Sequence, residues 1–305
     1  MARLIQQLII TRPHSRPQAM KNIEKSYYAH QHEHEKTRRE KEDMLRALKQ
    51  IHEPLNGQAG SRRERFGPLA PMFARDNTWL TIGDHYGEEA HWISSRCKDV
   101  TAADINIDFL QLAHQEGYIT KWSHQNAEKM TFEDDSFDYV LCRESYHHFP
   151  RPYIAVYEML RCAKKGVVIS EPLDPLSRTS PLLALCNILD TKRNPLRSAG
   201  VWKNRFSFET VGNYVYKVSP REFEKLAMGI GLPAVAFHYT GASYDLSARQ
   251  GSLAMRIFKP FSRLGLDINQ LLTSVLFKEK PDEATVRLLR KAGYYYYELP
   301  ENPYL

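Results

Sequence analysis

The stretch 78–104, TWLTIGDHYGEEAHWISSRCKDVTAAD, decides the fold. Its first five residues are an apolar run of strand length. Gly83-Asp84-His85-Tyr86-Gly87 follows, then a helical pattern from Glu88, then a second strand-like run that closes on Asp104. A strand, a glycine-bounded turn and a helix leading to another strand form a βαβ unit, with parallel strands and a right-handed crossover. Glycine at the strand-to-helix turn lets a ligand approach the backbone, and the helix N-terminus offers N–H groups. Taken alone, this glycine spacing also suits plain tight packing. Asp104 lies 21 residues after Gly83. An acid at that offset closes the second strand, where its carboxylate accepts both hydroxyls of a ribose. Capping the helix that starts near Ile107 is its alternative role.

The alternation continues outward. IDFLQLAHQEG (107–117) reads as helix, FDYVLC (137–142) as strand, YIAVYEMLRCA (153–163) as helix and GVVIS (166–170) as strand. SPREFEKLAMGIG (219–231) is an amphipathic helix with Ser219 as its cap, and PAVAFHY (233–239) and LLTSVLFKE (271–279) are strand-like. Upstream, residues 18–52 carry a broken apolar stripe of Met20, Ile23, Tyr27, Met44, Leu45, Leu48 and Ile51, ended by Pro54, Asn56, Gly57 and Gly60. They read as a helical extension that caps the main domain.

The run QNAEKMTFEDDSFDYVLCRESYHHFPRP (125–152) resembles the class I S-adenosylmethionine-dependent methyltransferases, as does EMLRCAKKGVVISEP (158–172). The similarity extends over about 77–172. It implies an α/β, Rossmann-like, mostly parallel seven-stranded sheet with an antiparallel last strand. Around it stand an N-terminal helical extension (1–70), two long lid insertions (172–218 and 241–270) in a domain of 71–280, and a C-terminal helix and tail (281–305). The Tyr294–Tyr297 run reads as a docking strand or packing tail.

The same resemblance implies S-adenosyl-L-methionine as cofactor. The turn of Gly83, Asp84, His85 and Gly87 would lie under its methionine part, and Asp104 would hold the ribose. Ile105 would pack on the adenine, Asn126 and Ala127 would meet its edge, and Arg143 would face the cofactor's centre. Three positions depart from the family pattern: Thr81 replaces an acid inside the first strand, His85 the middle glycine, and Asn126 an aspartate. The cofactor carries no pyrophosphate, so its loop need not wrap as closely as a dinucleotide loop. Asn126 keeps an acceptor and adds donors.

Methyl transfer from a sulfonium needs alignment, plus a base if the acceptor is a hydroxyl. His147 is the first choice as base and His148 the second, with Glu144 as orienting carboxylate. Capping or packing under the next helix is the structural alternative for either histidine. Arg143 suits an anionic acceptor or a carboxylate on a modified cofactor, and equally a salt bridge to Glu144 or Asp104.

Segment 172–218 carries seven Lys/Arg against three acids, interleaved with Trp202, Phe206, Phe208, Tyr214 and Tyr216. A basic, aromatic lid favours an anionic or sugar-like group, so the expected acceptor is a small molecule or glycan, anionic or lipid-linked; solvated charge with aromatics anchoring the lid is the equal alternative. LAMRIFKPFSRLGL (253–266) also suits peripheral contact with an anionic membrane. The absence of an Asn-Pro-Pro-aromatic sequence after FDYVLC argues against methylation of base amines in nucleic acid.

The chain has 305 residues, 42% apolar and 26% charged, with a net charge of +6. That is globular composition, and the charge permits an anionic partner without naming one. Cys97, Cys142, Cys162 and Cys186 form no C-x-x-C pair, which suits free thiols in a reducing cytoplasm. His30, His32 and His34 read as a solvated helix face rather than a metal site. The leading expectation is O-methylation. An RNA methyltransferase, or a methyltransferase-like binding or scaffold protein without turnover, are the alternatives.

Overall fold

The computed structural model describes residues 41–52, 66–174, 216–241 and 270–301. The strands are β1 Thr78–Ile82, β2 Asp99–Asp104, β3 Trp122–His124, β4 Phe137–Arg143, β5 Ala163–Pro172, β6 Ala234–Gly241, β7 Gln270–Phe277 and β8 Tyr295–Glu298. The α-helices are α1 Lys41–His52, α2 Glu88–Ser94, α3 Asp108–Gln115, α4 Pro152–Cys162, α5 Pro220–Gly229 and α6 Glu283–Lys291.

Alternation along each central strand sends side chains to opposite faces, and both faces are covered. Leu80, Ile82, Val140, Cys142, Val167 and Ile169 pack with Val156 and Met159 of α4 and Phe223 of α5. Trp79, Tyr139, Leu141 and Val168 pack on the other face, with Leu48 of α1, Ile93 of α2, Leu110 of α3 and Leu289 of α6. Trp79 is completely buried, so its truncation would cost about 3–5 kcal/mol.

The strands lie in the order β3-β2-β1-β4-β5-β7-β6-β8. β1 pairs in parallel with both β2 and β4, so the chain builds one half of the sheet and then crosses back to build the other. The crevice at that reversal, beyond the carboxyl ends of the strands, is where open α/β sheets bind ligands. β7 is antiparallel to both β5 and β6.

The sheet has one strand more than the seven expected. β8 pairs antiparallel with β6 through Ala234↔Glu298 and Phe237↔Tyr295, so part of the expected tail is an edge strand. Aromatic residues favour the extended state, and Gly293, at φ +89°, ends α6 and turns the chain back. Tyr294 is buried and donates its hydroxyl to the Pro68 carbonyl at 2.8 Å, which ties this segment into the core.

Pro172 of β5 pairs with Leu271, and Gly241 of β6 pairs with Gln270. Segments 172–218 and 241–270 therefore depart from the same carboxyl edge of the sheet. Most of both lies outside the described residues, as do the helical run PLLALCNIL, the segment 253–266, Cys186, His30, His32, His34 and the first part of the expected helix 18–52. Among the described residues no helix is long and apolar enough to cross a membrane.

Candidate active site

β1 is followed by Gly83, whose φ is +74°. Its N–H and that of Asp84 both donate to the Ala103 carbonyl near the end of β2, at 2.8 and 3.2 Å. Its carbonyl accepts from the Ser145 hydroxyl at 2.7 Å, which joins the ends of β1 and β4. A Cβ at Gly83 would stand 2.5 Å from Ser145 Cβ. Positive φ and close approach of two turns both demand glycine there. Gly87, at φ +69°, starts α2, and a Cβ there would press on Ile119 at 3.0 Å.

Between these turns lies a cavity of about 230 Å³. Gly83, His85, Asp104, Ile105, Ala127, Glu144 and His148 line it, joined by Ile82, Tyr86, Asn106, Gln125, Ser145 and Phe149. The structure thus brings together seven of the residues expected from sequence.

The other five sit outside the wall. Asp84 is buried and serves the helix behind it. Its carboxylate accepts from Thr81 Oγ1 at 2.8 Å and from Ala90 N at 2.9 Å. Burial, then the charge of Glu89, pushes its carboxyl well above the usual carboxylate range. Gly87 fills its role in chain geometry. Asn126 is exposed, and its Oδ1 accepts from Glu128 N at 2.9 Å. Its neighbour Gln125 turns inward, with its amide engaged by Thr131 and Ser123. Arg143 is an ion-pair residue, with 3% of its side chain exposed. It reaches Glu144 at 2.9 Å and Glu89 at 3.4 Å. Of its two expected salt-bridge partners Glu144 holds, and Glu89 stands where Asp104 was the other choice.

His147 is the fifth. It is 7% exposed, and its Nδ1 lies 2.5 Å from Glu171 Oε2. A carboxylate only accepts, so Nδ1 carries the proton. Glu171 also accepts from Ser145 N at 2.7 Å and Tyr146 N at 2.8 Å. The carboxylate that orients the imidazole is therefore Glu171, while Glu144 is held by Arg143. The Glu144 backbone has φ +48°, a conformation that costs about 1–3 kcal/mol and concentrates at functional sites. The His147 and His148 rings lie 4.1 Å apart between centroids, with His148 on the cavity side. Sequence showed Glu171 only as the end of a strand; its adjacency to the histidine pair was the available signal.

Asp104 carries the test of cofactor fit. It is 7% exposed, and its Oδ1 accepts from Asn106 N at 2.7 Å. Among the described residues no cation pairs with it. Burial raises its carboxyl to about 7 against the backbone N–H groups of Asn106 and Ile105. The expected helix-capping role falls instead to Asn106, whose Oδ1 accepts from Asp108 N at 3.1 Å. A buried acceptor with spare lone pairs, facing a cavity with Ile105, Ala127 and Phe149 in its wall, suits a ribose diol beside an aromatic base. Asp104 and Ile105 would hold the adenosine half of S-adenosylmethionine.

Residues 80–170 match the methyltransferase domain family model. No curated protein matches the chain. Among solved structures, a complex of the Haloferax volcanii Trm112 methyltransferase activator with a candidate methyltransferase shares the fold. Its identity is 14% and its TM-score 0.50, over 79% of this chain and 98% of that one. A candidate methyltransferase from Bacillus halodurans C-125 has 18% identity and TM-score 0.44 over 70% of this chain and 99% of that one. The YcgJ protein of Bacillus subtilis has 18% identity and TM-score 0.44 over 72% and 100%. The family match lies on β1 to β5, the cavity is formed by the ends of these strands, and the fold is that of the class I S-adenosylmethionine-dependent methyltransferases.

Proposed function

We propose that the protein methylates a hydroxyl oxygen of a small or carbohydrate-like acceptor, anionic or lipid-linked, with His148 taking the proton and the His147–Glu171 pair behind it. The observation that carries this reading is the carboxylate-held imidazole packed against a second histidine in the cavity wall. Bound S-adenosylmethionine supplies a methyl group already activated on a sulfonium. The chain's task is alignment and removal of one proton.

Asp104 and the β1 turn set the cofactor's position across the crevice. Histidine is the side chain best poised to accept a proton near neutral pH. Glu144 stands in the same wall as His148, and Glu171 lies behind its neighbour His147. The surplus of Lys and Arg among aromatics in 172–218, which departs from the rim at Pro172, supports an acceptor with phosphate or sugar character. Segment 253–266 would bring the protein to an anionic membrane surface if that acceptor is lipid-linked.

The test is transfer of isotope-labelled methyl from S-adenosylmethionine to a panel of sugar phosphates, glycosides and phenols, run against amines and RNA. Label in an ether is expected; label confined to nitrogen or to RNA overturns the reading. On the acceptor found, His148→Ala slows turnover about 100-fold and flattens the pH profile near neutrality. Wild-type turnover in that variant removes His148 from the mechanism.

A further inference from the structure

Where the resemblance leads one to expect a middle glycine, the turn after β1 has His85, followed by Tyr86. Both belong to the cavity wall. Rings in a ligand-facing turn need a support, or the turn must be ordered at the moment of binding and affinity falls. That support comes from α1, outside the matched segment 80–170.

His52, the last residue of α1, bonds through Nε2 to the Tyr86 carbonyl at 2.9 Å, across 34 residues of sequence. A carbonyl only accepts, so Nε2 is the donor. The imidazole is 4% exposed. It lies flat on the Tyr118 ring, at 4.3 Å and 12°, and meets His91 edge-on at 4.9 Å. His91 Nδ1 is itself held at 2.6 Å from the Tyr118 carbonyl. On the cavity side, the Tyr86 ring packs edge-to-face on His85 at 4.6 Å and on Phe109 at 4.7 Å. A continuous brace thus runs from α1 through one peptide to two rings of the wall.

We infer that His52 is a positioning residue of the cofactor site: it holds the Tyr86 peptide, and with it the aromatic wall that stands in place of the glycine. The inference rests on the reading of this cavity as the cofactor site. It makes the helix before the domain a working part of that site.

The experiment uses the full chain and S-adenosylhomocysteine as probe. Affinity is read by calorimetry and loop order by amide hydrogen exchange over 84–87. His52→Ala weakens binding about five- to tenfold and speeds exchange across the turn, as loss of one buried hydrogen bond requires. His52→Gln, whose amide nitrogen can donate from a similar place, restores most of both. His52→Phe keeps the stacking on Tyr118 without the donor and must weaken binding as His52→Ala does, even if the alanine variant folds poorly. Wild-type affinity in His52→Phe, or a glutamine variant no better than it, overturns the inference alone. Failure of the wild-type chain to bind S-adenosylhomocysteine overturns the cofactor reading, and this inference with it.

Discussion

Asp104 at the end of β2 and Glu171 near the end of β5 are both carboxylates buried at the carboxyl edge of one sheet, 7% and 0% exposed. Their surroundings differ in one respect. Glu171 accepts from two backbone N–H groups and an imidazole, all between 2.5 and 2.8 Å. Asp104 has backbone donors alone, among the described residues, and is pushed to about 7 by its burial. Glu171 is spent on holding the turn after β4, whereas Asp104 retains acceptor capacity on a cavity. Burial of a carboxylate therefore does not mark a binding site. Unmet hydrogen-bonding capacity facing open space does.

The comparison breaks most visibly at Glu171. Glu171→Ala strands two backbone donors and an imidazole N–H in the core, and should cost about 3–5 kcal/mol of stability in denaturant unfolding. Glu171→Gln, keeping a carbonyl oxygen for the two backbone groups, should cost clearly less. A mild loss in the alanine variant would show that the turn is held by something else.

At Asp104 the expected sign is reversed. Asp104→Asn should weaken cofactor binding about 10- to 100-fold, through loss of charged acceptors for the ribose, while leaving the cofactor-free fold more stable above pH 7. An unchanged dissociation constant would remove Asp104 from the site.

The smallest effect lies in pH. The folded carboxyl of Asp104 sits near 7, above its unfolded value of 3.8. Its contribution to stability is therefore fully present below about pH 4 and is lost as pH rises to about 7. Ribose hydroxyls favour the ionised form, so affinity should fall by up to about tenfold for each unit below pH 7, with uptake of the proton on release of the cofactor. Calorimetry in buffers of different ionisation enthalpy reads that proton directly; a pH-independent affinity between 5.5 and 7 would contradict the assignment.

The strand ends themselves show how much was legible beforehand. Asp104 and Gly83 were found from spacing, because a strand of known length and a glycine turn place their side chains with little help from the rest of the chain. Thr81, a departure from the family pattern, has its explanation in Asp84, three residues on, whose carboxyl accepts a hydrogen bond from the Thr81 hydroxyl and caps α2. Asn126 was expected inside and is outside, because one residue of shift in an irregular connection exchanges it for Gln125. Nothing in a linear reading sets that phase, since no helical or strand period runs through it.

By itself, then, the sequence determined the βαβ order, the strand that carries Asp104 and the family segment. These follow from local periodicity and glycine placement, which act within a few residues. Only the tertiary structure decided which histidine faces the cavity, that Glu171 and not Glu144 orients the other, that Arg143 is held between two glutamates, and that α1 reaches the cofactor turn. Each depends on contacts spanning distances such as the 24 residues between His147 and Glu171 or the 34 between His52 and Tyr86. The direction of a side chain at such a meeting is set by packing on both partners at once, which neither stretch of sequence carries alone.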